Sequence, residues 1–225
     1  METAVMDRSI NKQDIVAGII PVVNFTEVSQ VTPYLELLLE VGLPTLEITL
    51  RNDRSVMALK SALHFRNAHQ LTPSQLSIGV GTISTVEQLR LCANLEVDYM
   101  LSPGLDAALL EEAARLNVSY IPGVATASEI MLGRRLGCKH FKLFPASLLG
   151  GVSAVKALGA PFPDIQFCPT GGIRADNCRD YLSLPNVFAV GGSWLASDAL
   201  LLNQDWEAIR QLMKEAVAAI EYERQ

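Results

Sequence analysis

Short apolar segments alternate with amphipathic helical segments along almost the whole chain. Eight segments are rich in β-branched and other apolar side chains, and a helical pattern follows each of them. Most of these segments are continuously apolar, as expected of parallel strands that are covered on both faces. The predicted strands are Ile19–Val23, Thr45–Leu50, Ser77–Gly81, Tyr99–Leu101, Ser119–Gly123, His140–Phe144, Ile165–Cys168 and Val187–Val190.

The helical segments between these strands carry recognisable start and stop signals. Asp53 and Thr85 (or Ser84) are predicted N-caps, and Gly42 is predicted to end the first helix. An amphipathic helix is predicted over Trp206–Ile220. The other predicted helices are Val28–Val41, Asp53–Ala68, Thr85–Asn94, Asp106–Leu116, Ala127–Leu136, Val152–Leu158 and Ala175–Leu182.

Eight βα units without a linker fit either a closed (β/α)8 barrel or a doubly wound open sheet. The length of 225 residues suits a compact barrel, and no G-x-G-x-x-G motif follows the first strand, which disfavours a dinucleotide-binding sheet. We therefore predict one α/β domain over residues 1–225, a (β/α)8 TIM barrel. A short N-terminal helix or arm through about Asn11 precedes it.

Composition excludes several classes of function. The net charge is −6 and no Lys/Arg cluster is present, which argues against a nucleic-acid partner. The four cysteines form no C-x-x-C pair and the histidines have no metal-ligand spacing, so zinc binding is disfavoured and a reducing compartment is expected. The polar N-terminus is unlike a signal peptide, and no apolar run has the length of a membrane span. We expect a soluble cytoplasmic protein without a membrane partner.

Lys142 is the only lysine within the sixth predicted strand, between Phe141 and Leu143. An ammonium group is costly to bury, and a neutral amine is a nucleophile whose usual reaction is Schiff-base formation with a carbonyl compound. The alternative is an edge-strand lysine that extends to water. The local sequence leaves both interpretations open.

Glu47, Thr49 and Arg51 alternate along the second strand and therefore share one of its faces. In a barrel the reacting groups lie at the carboxyl ends of the strands. Arg51 is suited to bind a substrate carboxylate, and Glu47 is then left as a proton-transfer group beside the amine. A buried ion pair within the strand is the alternative interpretation.

Paired glycines follow the seventh and eighth strands. Gly171 and Gly172 follow Thr170, and Gly192 precedes Ser193. Glycines allow backbone amides to approach a ligand closely, and a helix beginning near each loop would direct free N–H groups at an anion. We predict a phosphate site formed by these loops, with ordinary turns as the alternative.

Seven short motifs at the strand ends occur in a distinctive order. They are Leu46–Arg51, Gly79–Thr82, Ser102–Gly104, Ile121–Gly123, Phe141–Ala146, Phe167–Ile173 and Gly191–Leu195. Together they resemble bacterial 2-keto-3-deoxy-6-phosphogluconate (KDPG) aldolases, a family that includes 4-hydroxy-2-oxoglutarate aldolases. The resemblance extends from about Ile19 to Trp194.

The resemblance implies a class I aldolase on a (β/α)8 barrel, usually a homotrimer, that needs no metal or other cofactor. Such an enzyme cleaves phosphorylated KDPG to pyruvate and glyceraldehyde 3-phosphate in the Entner–Doudoroff pathway, and it can also act on 4-hydroxy-2-oxoglutarate. Matched motif by motif, Lys142 is the Schiff-base lysine and Glu47 the general acid/base. The resemblance also implies that the pyruvyl end of the substrate contacts Arg51, Thr82, Pro103, Phe144 and Thr170. The implied phosphate-binding residues are Gly171, Gly172, Gly192 and Ser193.

Some departures from the family pattern leave the details open. The loop Ala146–Gly151 differs from the pattern expected after the lysine strand, and Asn24 and Phe25 after the first strand are unusual. Preference for the galactonate epimer of the substrate remains an alternative within the same chemistry. A phosphate-binding barrel isomerase or synthase without imine chemistry, and a sensor of sugar phosphates without activity, are alternatives from other classes.

Overall fold

The computed structural model describes residues 18–223, so the predicted N-terminal helix or arm lies outside the described residues. The strands are β1 (Gly18–Val23), β2 (Thr45–Thr49), β3 (Ser77–Gly81), β4 (Tyr99–Leu101), β5 (Tyr120–Ile121), β6 (Gly123–Val124), β7 (His140–Leu143), β8 (Gln166–Pro169) and β9 (Ala189–Gly192). The helices are α1 (Val31–Val41), α2 (Ser55–Ala68), α3 (Val86–Asn94), α4 (Ala107–Leu116), α5 (Ala127–Arg135), α6 (Gly151–Gly159), α7 (Cys178–Leu182), α8 (Asp198–Leu202) and α9 (Trp206–Glu223). None of the helices described is long and apolar enough to cross a membrane.

All strand pairs are parallel, and they form two connected sheets. The six-stranded sheet has the order β5-β4-β3-β2-β1-β9, and the three-stranded sheet has the order β6-β7-β8. Two isolated bridges, Phe167 with Val187 and Thr170 with Gly191, join the β8 segment to the β9 segment. The chain therefore has an α/β fold with a curled parallel sheet, as the alternation of apolar segments predicted.

The predicted fifth strand is interrupted at Pro122. Proline has no N–H group to give to a ladder, so it occurs at strand ends and bulges rather than inside a central strand. The residues before it, β5, pair with β4, whereas the residues after it, β6, pair with β7. This short interruption places the boundary between the two sheets directly before the lysine strand.

The strands bury two apolar clusters on their opposite faces. The larger cluster lies where the helices pack on the sheets and includes Leu46, Ile48, Phe141 and Phe167. The smaller one is formed by side chains from five strands, Ile20, Tyr99, Leu101, Ile121, Cys168 and Ala189. Because successive strand residues face opposite sides, the smaller cluster marks the inner face of the curled sheet.

Two of the predicted helix signals, Gly42 and Thr85, are confirmed, and one, Asp53, is wrong. Gly42 ends α1 in the left-handed conformation with a φ of 76°, and Thr85 and Asp106 accept hydrogen bonds from the first turns of α3 and α4. Asp53 does not cap α2, which begins at Ser55 after a residue without a side-chain cap. The cause is local, because the side chain of Asn52 accepts the Arg54 N–H at 2.8 Å.

The last strands and helices differ in extent from the prediction. Strand β8 extends to Pro169 and β9 to Gly192, which brings the glycine loops to the ends of hydrogen-bonded strands. Helix α7 begins only at Cys178 instead of Ala175. Helix α8 was not predicted, although Ser197 accepts a hydrogen bond from Leu200 N–H and is a recognisable N-cap.

The inner face contains one very close contact that can be tested. A Cβ on Gly79 would lie 2.0 Å from the Tyr99 ring, and that ring is held by hydrogen bonds of 2.8 Å with Thr45 and with the Leu46 carbonyl. We expect Gly79→Ala to lower the free energy of unfolding by about 1–3 kcal/mol because the core is overpacked. Urea denaturation measures this change.

Gly104→Ala is the matched control for Gly79→Ala. A Cβ at Gly104 meets no atom within 4 Å, so we expect its stability to match the wild type within about 0.5 kcal/mol. Equal stability losses in the two variants would contradict the packing that we describe around Tyr99.

Candidate active site

Lys142 and Glu47 form a buried ion pair on the inner face of the sheet. The Lys142 Nζ atom lies 2.9 Å from Oε1 of Glu47 and 3.3 Å from Oε2. Only 4% of Lys142 and 1% of Glu47 is exposed to solvent. Two charges removed from water to this extent are stable only with close partners, so each group depends on the other. The pair also excludes the interpretation of Lys142 as an edge-strand lysine that extends to water.

A glycine on the neighbouring strand β3 makes room for this pair. Gly81 stands beside Thr49 in the β2–β3 ladder, and a Cβ there would lie 1.7 Å from Oε1 of Glu47. Gly123 stands beside Lys142 in the β6–β7 ladder. A Cβ on Gly123 would meet the Pro103 carbonyl at 2.4 Å, so the space for the pair itself comes from Gly81. A larger residue at Gly81 would displace the carboxylate from the amine.

The surroundings of Lys142 are apolar, with one aromatic ring and one thiol. The Phe144 ring centroid lies 5.7 Å from Nζ, within the range of a cation–π contact. Cys168 stands beside Lys142 in the β7–β8 ladder. Burial raises the pKa of the Cys168 thiol to about 12, so the thiol stays protonated at neutral pH. Cys168 therefore belongs to the packing around the pair and is not a nucleophile.

Arg51 does not pair with Glu47, in contrast to the ion pair considered from the sequence. It is exposed beyond the end of β2, and its Nε donates to Oγ1 of Thr82 at 3.3 Å. Thr82 itself has a left-handed backbone with a φ of 65°, which is unfavourable for a β-branched residue. Such strain is found at functional sites, where the surrounding structure holds it. Two of the five residues predicted to contact the pyruvyl end, Arg51 and Thr82, are thus in contact.

The two glycine loops lie side by side, joined by the bridge between Thr170 and Gly191. Gly171 and Gly172 have φ angles of 94° and 76°, which favour glycine. A Cβ on Gly172 would also lie 2.0 Å from Oγ of Ser147. The loop after the lysine strand therefore packs against the first glycine loop.

The second loop needs glycines because of close packing and not because of its backbone angles. A Cβ on Gly191 would lie 2.4 Å from Oγ1 of Thr170, and one on Gly192 would lie 1.6 Å from the Trp194 ring. A 3-10 turn, Trp194–Ala196, begins directly after Ser193. The expectation of a helix at both loops is wrong for the first, because α7 begins six residues after Gly172.

The remaining predicted site residues lie at the same end of the strands. Pro103 is exposed, and its carbonyl group approaches Gly123 so closely that a Cβ there would lie 2.4 Å away. Thr170 is 6% exposed and donates to the Cys168 carbonyl at 3.3 Å. Ser193 is exposed at the end of β9. Within residues 18–223, no group of three or more His, Cys, Asp or Glu side chains could hold a metal ion.

One polar group at this end of the sheet was only partly anticipated. Asn24 follows β1, and the Asn52 side chain donates to its Oδ1 at 2.9 Å. The sequence marks Asn24 as unusual but does not connect it with Asn52, because the two are far apart in the chain. A polar residue directly after an apolar strand is the signal that could have identified Asn24.

A buried lysine–carboxylate pair at the carboxyl ends of parallel strands, beside two glycine loops, is the arrangement of a lysine-dependent aldolase. The comparison with protein families agrees with this class of enzyme. The model of the KDPG and KHG aldolases matches residues 10–212. The chain belongs to this aldolase family.

Individual relatives are similar over nearly their whole length. The chain is 39% identical over 211 residues to the 2-dehydro-3-deoxy-phosphogluconate aldolase of Pseudoalteromonas atlantica, covering 93% of this chain and 95% of the relative. It is 37% identical over 199 residues to the KHG/KDPG aldolase of Escherichia coli K12, covering 88% and 90%.

Solved structures of KDPG aldolases are also similar to this chain. The KDPG aldolase of Legionella pneumophila, with pyruvate captured as a covalent carbinolamine intermediate, has a TM-score of 0.84 and 35% identity, covering 90% of this chain and 95% of that one. The KDPG aldolase of Zymomonas mobilis ZM4, with 3-phosphoglycerate, has a TM-score of 0.83 and 33% identity, covering 93% and 95%.

The buried pair leads to a prediction about stability. Lys142→Met or Glu47→Leu alone leaves an unpaired buried charge, and we expect each to lower the free energy of unfolding by about 3–5 kcal/mol. The double variant replaces both charges by apolar side chains and should lose less than either single variant. Urea denaturation of the four proteins measures the coupling between the two positions.

An exposed ion pair is the control for this comparison of single and double variants. Arg174 and Asp176 are 66% and 69% exposed, so Asp176→Asn should leave the stability unchanged. Additive losses in the Lys142 and Glu47 double variant would mean that the two charges do not depend on each other.

Proposed function

We propose that this protein is a class I aldolase that cleaves KDPG to pyruvate and glyceraldehyde 3-phosphate. The observation that supports this proposal most directly is the buried pair of Lys142 and Glu47, an amine nucleophile and a proton carrier 2.9 Å apart. Membership of the KDPG and KHG aldolase family supports the same reaction. The carbinolamine of the Legionella pneumophila relative is the adduct that such an amine forms with pyruvate.

The first steps form an imine on Lys142. Proton transfer within the pair gives a neutral amine, which attacks the C2 carbonyl of the keto acid and forms a carbinolamine. Loss of water, with a proton supplied from Glu47, then gives the iminium ion. The burial of the pair beside Phe144 and Cys168 keeps bulk water away from this centre.

Cleavage follows because the iminium ion accepts an electron pair. Glu47, directly or through one water molecule, removes the proton of the C4 hydroxyl, and the C3–C4 bond breaks to release the aldehyde. The electron pair of that bond forms the enamine on Lys142. Protonation at C3 and hydrolysis of the imine then release pyruvate and regenerate the amine.

The other site residues hold the two ends of the substrate. The Arg51 guanidinium is exposed beside Thr82 and pairs with the C1 carboxylate. Pro103, Phe144 and Thr170 line the pyruvyl part. Fixing both ends places the scissile bond over Lys142, which accounts for a large part of the rate.

The phosphate is held by the two glycine loops. Their backbone N–H groups and the Ser193 hydroxyl are the donors, and the residues concerned are Gly171, Gly172, Gly192 and Ser193. The Zymomonas mobilis relative with 3-phosphoglycerate supports a phosphorylated ligand. The name of the Escherichia coli relative supports 4-hydroxy-2-oxoglutarate as a second substrate.

The same proposal includes the fold, the oligomeric state and the cellular location of the enzyme. The two sheets form one closed (β/α)8 barrel and one domain over residues 1–225, supported by the strand change at Pro122 and the bridges between β8 and β9. The resemblance to KDPG aldolases supports a homotrimer. Four buried thiols without a disulfide accord with a cytoplasmic enzyme.

Trapping with borohydride tests the proposed chemistry. Incubation with pyruvate and sodium borohydride should attach one reduced pyruvate to the protein, and peptide mass spectrometry should locate it at Lys142. Lys142→Met should give no adduct. No adduct in the wild-type protein, or an adduct on another lysine, would support an isomerase or synthase without imine chemistry instead.

A further inference from the structure

Asn24 lies on the inner face of the sheet, at the same end as the catalytic pair. Val22 stands beside Glu47 in the β1–β2 ladder and Val23 beside Ile48, so Asn24 comes beside Thr49. The side-chain contact agrees with this register, because Thr49 Oγ1 donates to Asn24 Oδ1 at 3.5 Å. Asn24 therefore lies one step beyond Glu47 toward the ends of the strands.

A chain of hydrogen bonds fixes the orientation of the Asn24 amide. The Arg54 N–H donates to Asn52 Oδ1 at 2.8 Å, so the NH2 group of Asn52 must point the other way. That group donates to the Phe25 carbonyl at 3.0 Å and to Asn24 Oδ1 at 2.9 Å. The acceptor side of the Asn24 amide is thus occupied by Asn52, while the Thr49 hydroxyl is shared between Asn24 Oδ1 and the closer Val23 carbonyl at 3.3 Å.

The NH2 group of Asn24 is the part of this amide that remains available. Asn24 is half-buried, and the structure gives its Nδ2 no acceptor among residues 18–223. An asparagine held by its oxygen alone presents two N–H donors in a fixed direction. Such a group recognises an oxygen atom on a ligand, and its fixed orientation reduces the entropy lost on binding.

The position of Asn24 relative to the two ends of the substrate identifies the oxygen. Strand β1 lies between β2, which carries Glu47 and Arg51, and β9, which ends in the second glycine loop. Pro21 stands beside Gly192 in the β1–β9 ladder, so Asn24 leaves β1 next to that loop. The part of the substrate between the cleaved bond and the phosphate is therefore closest to Asn24.

We propose that the Asn24 side-chain NH2 binds the C5 hydroxyl of the phosphorylated keto acid and makes Asn24 a specificity-determining residue. This inference rests on the proposed aldolase function and deepens it. Glu47 acts on the C4 hydroxyl and the glycine loops hold the phosphate on C6, so the C5 hydroxyl is the oxygen that remains between them. Asn52 is the positioning residue that orients the Asn24 amide.

Two aldehydes test this assignment in the synthetic direction. Pyruvate adds to glyceraldehyde 3-phosphate, which supplies the C5 hydroxyl, or to 3-hydroxypropanal phosphate, which lacks this hydroxyl but has the same carbon chain and phosphate. For Asn24→Leu and Asn24→Ala, we expect kcat/KM with glyceraldehyde 3-phosphate to fall about five- to tenfold, the effect of one hydrogen bond. The value with 3-hydroxypropanal phosphate should stay close to that of the wild type.

Thr49→Val is the matched control. It removes the weaker of the two bonds to Asn24 Oδ1 and leaves the 2.9 Å bond from Asn52, so the ratio of the two kcat/KM values should not change. An unchanged ratio in both Asn24 variants, or an equal loss with both aldehydes, would overturn the assignment.

Trapping of pyruvate with borohydride separates this inference from the proposed function. Wild type and both Asn24 variants should form the same amount of adduct, because Asn24 does not contact the pyruvyl half. Lost trapping in the variants alone would overturn the role of Asn24, whereas lost trapping in the wild type would overturn the aldolase function itself.

Discussion

The ion pair between Lys142 and Glu47 is the interaction on which the rest of the site depends. Each charge is almost completely removed from water, and only the partner 2.9 Å away compensates for the lost hydration. The pair joins β7 of the smaller sheet to β2 of the larger one. Its geometry is therefore set by how the two sheets come together, and it would be lost if either sheet shifted relative to the other.

Glycines allow the close approach of Lys142 and Glu47. Gly81 leaves space for the Glu47 carboxylate, and Gly79 leaves space for the Tyr99 ring one step further from the ends of the strands. The two glycine loops pack against Ser147 and Trp194 in the same way. The glycines near the site thus serve two purposes, since they permit close packing around the charged pair and expose backbone N–H groups at the strand ends.

The sequence predicts the strands and the chemistry well because both depend on local patterns. Continuous apolar runs mark the parallel strands, and the single lysine in one such run is the residue that forms the buried pair with Glu47. Contacts between distant segments are harder to predict. Asp53 has the residue type of an N-cap, but α2 has no side-chain cap, and it is the neighbouring Asn52, also bonded to Asn24 and Phe25, that accepts the Arg54 N–H. The left-handed backbone of Thr82 likewise contradicts the preference of a β-branched residue and is imposed by its surroundings.

The exchange of pyruvate methyl protons with solvent tests the central claim most directly, namely that Lys142 and Glu47 act together as nucleophile and proton carrier. In D2O the wild-type protein should replace the C3 protons of pyruvate with deuterium, which NMR follows without any aldehyde present. Glu47→Gln should still yield the borohydride adduct on Lys142 but should lose at least about 100-fold in exchange rate, the effect of a missing general base. Exchange at the wild-type rate in Glu47→Gln would contradict the account.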